Sequence, residues 1–361
     1  ITVATQAGGN HGTIQNILVV FDSKTDNRAL LDQAVNLGQR NRAALTVVDV
    51  IEEVPRVLKP PKSQEFSGNQ MRSALRIVEE FPDDSHLSPN LESSGEDRRK
   101  DVDTSSLSVN IQESIIQVEE RNLQQFTAAI QRAGIQVSSK TIFGIPFIEI
   151  IRKVKQSHHD LVMIAAEGKW GLKETLFGST TMHLMRKCPC PVWVIKQSQT
   201  RKFRRILAAV DLGQDVDRIA LAKKIIELGT SLARLEESEL IIVHAWSMYG
   251  ESILKGRVDY SSEEVERLLR ETRDMHRQWL VDLLQQHNLE DLKIEVYLLK
   301  GEAGEIISDL ARSKEVDLIV MGTVSRAGIA GLLIGNTAET VLHRVDCSML
   351  TLKPEGFISP V

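Results

Sequence analysis

The chain has no surplus of positive charge. Its 361 residues carry a formal net charge of −5 and a sequence pI near 6.1. That excludes a nucleic-acid binder relying on bulk positive charge, and no nucleic-acid partner is expected. No apolar run approaches the ~20 residues of a membrane span, so no membrane partner is expected either. The opening stretch ITVATQAGGNHGT has neither a charged start nor an apolar signal core. Cysteine is scarce. Three residues make a poor disulfide framework and suit a reducing, cytoplasmic setting. A G-x4-G-K-[S/T] loop is missing, so P-loop hydrolysis is not indicated, and no G-x-S-x-G elbow supports a nucleophile–base–acid set. No catalytic residues are assigned. Cys188, Cys190 and His183 invite a zinc reading, but no second pair completes a four-ligand set, and no metal is expected.

What is present is the composition of a soluble globular protein, 42% hydrophobic and 26% charged, with length enough for two domains. Within it lies a repeat. DLVMIAAEGKWGLKETLFGSTTMHLMRKCPCPVWVIK, from Asp160 to Lys196, aligns without a gap on DLIVMGTVSRAGIAGLLIGNTAETVLHRVDCSMLTLK, from Asp317 to Lys353. Asp160 meets Asp317, Gly171 meets Gly328, Gly178 meets Gly335 and Cys190 meets Cys347. Upstream, ILVVFDS from Ile17 parallels ILAAVDL from Ile206. The period far exceeds that of a solenoid, so the pattern is domain duplication.

Each copy alternates strand and helix. The first reads as strands at 17–21, 44–51, 135–143, 161–166 and 192–196, with helices near 27–40, 112–133, 147–157 and 180–187. Short Val/Ile/Leu/Ala-rich strands separated by helices favour a doubly wound parallel sheet, with ligands at the strands' carboxyl ends. The reading is α/β, with domains at 1–198 and 199–361. Residues 82–110, rich in Ser, Asp and Pro, read as a mobile polar insertion in the first.

A strand ending in Asp (Asp22, Asp211), a Gly-rich loop after the fourth strand, and a last strand after CPCPVWVIK resemble the universal stress proteins. The double copy, FGSTTMHLMRKCPCPVWVIK and the ending LKPEGFISPV resemble the tandem members of that family. The resemblance implies two adenine-nucleotide alpha-hydrolase-like domains packed as a pseudo-dimer through their last strands, 191–196 and 348–353. Trp193 and Leu350 are then expected near the pseudo-two-fold axis. Dimers of whole chains through other surfaces remain open.

Nucleotide-binding members carry G-x2-G-x9-G-[S/T] in this loop. The first copy offers Ala165, Gly168, Gly178 and Ser179, with Thr180 following; the second offers Gly322, Ser325, Gly335 and Asn336. The resemblance places Asp22 and Asp211 near an adenosine. Glycines let backbone N–H groups approach a polyphosphate, and the helix that follows aims its dipole at the anion. ATP or another adenine nucleotide is the cofactor this implies. One departure against two favours the first copy. Ser179 and Asn336 also have a purely structural explanation as helix N-caps.

The expected function is a cytoplasmic stress-response protein that senses a small ligand or binds protein partners through a degenerate nucleotide-type site. The alternatives are slow ATP hydrolysis or phosphoryl transfer in the first copy, and a hydrophobic metabolite in the second-domain cleft, where IAGLLIG carries no charge. Lys169, Trp170, Lys173 and Arg326 lie in the two loops; His158 and His159 are expected at an exposed helix end, Cys190 and Cys347 as small core residues. His244 ends a strand where the first copy has Asp49 and so borders the cleft.

Overall fold

Runs such as ILVV and ILAA have no polar face, so their strands need cover on both sides. In the computed structural model they are β1 (Asn16–Phe21) and β6 (Arg205–Val210). The structure describes residues 14–52, 104–166, 178–196, 202–255, 261–323 and 335–361. Residues 53–116 form a unit of their own, whose described part opens a helix. The loops at 167–177 and 324–334, with Gly168, Ser325, Lys169, Trp170, Lys173 and Arg326, lie outside the described residues, as do 82–103 of the expected insertion. Residues 104–110, expected in that insertion, are instead the first turns of a helix. A helix nucleated downstream propagates upstream through polar residues as long as none is Gly or Pro.

The first half runs β1, α1 (Arg28–Asn41), β2 (Ala44–Ile51), α2 (Thr104–Arg132), β3 (Val137–Phe143), α3 (Pro146–Ser157), β4 (Leu161–Ala165), α4 (Ser179–Lys187) and β5 (Val192–Ile195). The second runs β6, α5 (Val216–Glu236), β7 (Glu239–Trp246), α6 (Glu251–Lys255), α7 (Ser262–Leu284), β8 (Ile294–Lys300), α8 (Ala303–Ser313), β9 (Leu318–Gly322), α9 (Asn336–Arg344) and β10 (Ser348–Leu352). The strands form one sheet in the order β3-β2-β1-β4-β5-β10-β9-β6-β7-β8. Pairing is parallel within each half, and β5 meets β10 antiparallel. Leu350 stands opposite Trp193, as the resemblance implied. The two edges that would otherwise expose apolar backbone are thus spent on each other.

Alternation sorts the core into two layers. Ile17, Val19 and Phe21 join Leu30, Leu37 and Ile130 on one face; Leu18 and Val20 join Ile150, Val154 and Leu184 on the other. Trp193 is buried at the junction, its ring 5.8 Å from Phe203.

The duplication extends to backbone detail. Asp160 Oδ2 accepts from the N–H groups of Gln15 and Asn16, each at 2.8 Å; Asp317 Oδ2 accepts from Arg204 and Arg205 at 2.7 and 3.0 Å. Each carboxylate ties the start of its half's first strand to the start of the fourth. Left-handed, non-glycine residues recur too: Arg42 matches Glu237 and His158 matches Glu315.

Candidate functional site

In each half, β1 or β6 ends beside the fourth strand and the chain turns sharply. Asp22 follows β1. Its Oδ1 accepts from the Lys24 N–H at 2.9 Å, and its carbonyl accepts from the Thr25 N–H at 3.1 Å and Asn27 Nδ2 at 2.7 Å. This Asx-type turn fixes the carboxyl group at the sheet's carboxyl edge. Asp211 follows β6 with Arg218 Nη1 3.8 Å away; Asp215 caps α5 by accepting from the N–H groups of Asp217 and Arg218. The structure therefore brings Asp22 to the same edge as Ala165, which ends β4, and Asp211 to the same edge as Gly322, which ends β9.

The departure at the motif's first position does not disturb the backbone. Ala165 has no positive φ, so alanine serves where the motif has glycine. Gly322 has a packing reason of its own: a Cβ there would lie 2.7 Å from Leu221 Cδ2. The glycine admits α5 against the end of β9, whatever the loop beyond it holds.

The N-cap reading of Ser179 and Asn336 is corrected. Gly178 and Gly335 are the N-caps of α4 and α9, in extended backbone with φ of −61° and −63°, and a glycine brings no side chain to cap the helix. Ser179 and Asn336 sit one residue later, with Thr180 second, where helical geometry turns their side chains from the capping position. The N-cap glycines thus supply no side-chain acceptor to the first-turn N–H groups of either helix. The Gly335 N–H donates to the Thr323 carbonyl at 3.1 Å.

One strand further out the two halves part company. Asp49 of β2 stands opposite Phe21; His244 of β7 stands opposite Val210, the equivalent place. Asp49 is buried, and its Oδ2 has no hydrogen-bond partner among the described residues. Burial first, then the nearby Glu119 and Asp22, push its carboxyl up to about 6, while Lys24 pulls the other way. Glu119 Oε1 accepts from Ser23 Oγ at 2.7 Å, and its Oε2 also lacks a partner. This stretch of the first half's carboxyl edge is therefore acidic, with buried carboxylate oxygens that accept from nothing among the described residues.

The matching stretch of the second half is imidazole and indole. His244 Nδ1 lies 3.0 Å from the Val210 carbonyl and Nε2 lies 2.8 Å from His276 Nδ1. A carbonyl only accepts, so His244 Nδ1 carries a proton, and a second proton lies between His244 Nε2 and His276 Nδ1. The His276 ring stands edge-on to Trp279 at 4.9 Å and 5.9 Å from Trp246. The position of His244 was visible in the sequence. Its partner was not, because His276 lies on α7, a helix distant in sequence, and only packing brings the two together.

Other expected positions divide. His158 is exposed, but His159 is buried, neither of its ring nitrogens hydrogen-bonded to a side chain, and burial holds it neutral with a pKa near 4. Cys347 is buried as expected, its thiol pushed up to about 12. Cys190 is only partly buried and precedes β5 instead of starting it. Among the described residues no group of three or more His, Cys, Asp or Glu could hold a metal ion, and no helix is long and apolar enough to cross a membrane.

The sequence model of one family, the Universal stress protein family, matches residues 13–196 and again 202–353. The chain is 26% identical over 354 residues to Universal stress protein E of Escherichia coli strain K12, spanning 96% of each chain. The same figures describe its similarity to Universal stress protein E of Salmonella typhi. A solved structure of a functionally unknown protein from Pseudomonas aeruginosa PAO1 shares the fold with a TM-score of 0.61 at 20% identity, covering 95% of this chain and 94% of the other.

Proposed function

The chain belongs to the universal stress protein family, and from that premise we propose that it senses small ligands through two dissimilar clefts on one sheet. The first half, residues 1–198, is the nucleotide-type unit; the second, 199–361, takes a more apolar ligand. One observation carries the first assignment: α4 starts from a glycine N-cap and follows β4, whose carboxyl end lies beside that of β1 and Asp22. The N–H groups and positive dipole end of a helix start suit a polyphosphate, and the carboxyl groups of Asp22 and Asp49 suit the amino and hydroxyl donors of a nucleoside.

The second assignment rests on the replacement of Asp49 by His244 with its bonded His276, and on Trp246 and Trp279 beside them. A wall of rings favours an apolar or aromatic ligand over a charged one. Occupancy of either cleft is the signal that protein partners read, and no chemical turnover is required.

Native mass spectrometry of freshly purified protein tests the reading. Retained small molecules are expected, and heat release followed by identification should give an adenine nucleotide, an apolar compound or both. Protein that is ligand-free and gains no thermal stability with ATP would contradict the first assignment.

A further inference from the structure

We propose that Cys188 and Cys190 form a reversible disulfide on exposure to hydroperoxide, and that the second half reads this bond through Lys353. The two sulfurs are 3.6 Å apart and both thiols are free. Residues two apart on extended backbone point to the same side, and Cys188, the C-cap of α4, has φ −67° and ψ 132°. A disulfide needs a separation of about 2.0 Å, so closure requires movement of one residue. Cys190 is the fixed one. Its neighbour Pro191 accepts from the Val162 N–H of β4 at 3.0 Å and has a locked φ. Cys188 is buried in the core, with its N–H bonded to the Leu184 carbonyl at 2.8 Å, so closure draws on the packed last turn of α4. With Pro189 between them, the small ring is strained, and strained disulfides are the readily reduced, regulatory kind.

The chemistry balances with a hydroperoxide as oxidant. Cys190, the partly exposed member, attacks one peroxide oxygen as thiolate; the O–O bond breaks and hydroxide or alkoxide leaves. The sulfenic acid formed is then attacked by Cys188. The S–O bond breaks, water leaves, and the two sulfurs have supplied the two electrons that reduced the peroxide. The hydrogen bond with Cys188, then burial, pushes the Cys190 thiol up, so the reaction is slow and answers to sustained oxidant only. The second half has no such pair: Val345 stands where Cys188 does, and Cys347 is buried alone.

A chain of hydrogen bonds leads from the pair to the second cleft. The last turn of α4 carries Met185, whose carbonyl accepts from Lys353 Nζ at 2.6 Å and from Thr323 Oγ1 at 3.1 Å. Lys353 Nζ is also 2.5 Å from Thr323 Oγ1. The Thr323 carbonyl accepts from the N–H of Gly335, the N-cap of α9. Drawing Cys188 toward Cys190 pulls the Met185 carbonyl, and with it the clasp that sets the start of α9. The clasp is specific to Lys353. Its repeat partner Lys196 is paired with Asp346 at 3.1 Å, whereas the residue matching Asp346 in the first half is Pro189, which can pair with nothing.

The test uses the full chain treated with hydrogen peroxide, then digested after alkylation of remaining thiols. The peptide from Cys188 to Lys196 should lose two hydrogens in mass, recover them with dithiothreitol, and behave identically in Cys347→Ser. Cys190→Ala should not form the bond. Amide exchange in the first turn of α9 should be several-fold faster in the oxidised than in the reduced protein, with the difference abolished in Lys353→Met. Two unmodified thiols after prolonged peroxide, a bond that includes Cys347, or equal exchange at α9 in the two states would each overturn the proposal.

Discussion

Asp49 and His244 occupy one register position in two copies of a fold and face different chemistry. Asp49 is a buried carboxyl group whose pKa rises from 3.8 to about 6 on folding. Because the folded pKa is the higher, the stability linked to this proton is present below pH 4 and is lost as pH rises through 6. Asp49→Asn removes the ionisation. It should raise stability by about 1–2 kcal/mol at pH 8, a figure reduced from the full shift because solvent reaches neighbouring Asp22, and should change it little at pH 3. Urea titrations at the two pH values check this. An equal effect at both would mean the gain is packing, not charge. Lys353 is the opposite case. Burial lowers its pKa from 10.5 to about 7. The associated stability is present above pH 10.5 and is lost as pH falls through 7, so stability should climb between pH 7 and 10. In Lys353→Met that climb should flatten, which thermal melts across the range will read.

At the scale of elements, packing sets what the loop motif only suggested. Gly322→Ala should cost about 1–2 kcal/mol, because its Cβ meets Leu221, and a second change Leu221→Ala should recover part of that loss. Additive losses in the double-mutant cycle would show that the contact is relieved elsewhere. Arg42, left-handed at φ 54° as the C-cap of α1, should tolerate glycine well. Arg42→Gly should stabilise by about 0.5–1 kcal/mol, measured by chemical denaturation. Most elements were legible in the sequence. The strand over 44–51 was placed at its observed ends, and the helix expected at 147–157 begins one residue earlier. Apolar strands need burial on two faces, and that demand is written in composition. The caps were misread by one residue: Ser and Asn are common caps, and nothing in a sequence shows that the preceding glycine is the extended residue. His159 was misjudged because the polar doublet His158-His159 looks solvated, and burial of its second member is decided by the tertiary fold. The His244–His276 bond was invisible for the same reason.

The whole molecule is a duplicated fold closed on itself. β5 and β10 pair within the chain, so a single copy already contains the two-half assembly that the repeat implied. Trp193, 2% exposed at this junction, should matter to both halves: Trp193→Ala should cost about 3–5 kcal/mol and lower the unfolding transitions of the two halves together. Calorimetry that found only one half destabilised would mean the junction is not shared. Duplication also frees each cleft to change while the sheet is kept, and that divergence is the central claim. Its most direct test is a calorimetric titration of ATP into the full chain, into Gly178→Val and into Gly335→Val, with circular dichroism to establish that each variant folds. The account predicts one ATP per wild-type chain, binding lost in Gly178→Val, and binding retained in Gly335→Val. Two sites per chain, or binding that survives Gly178→Val and disappears in Gly335→Val, would contradict it.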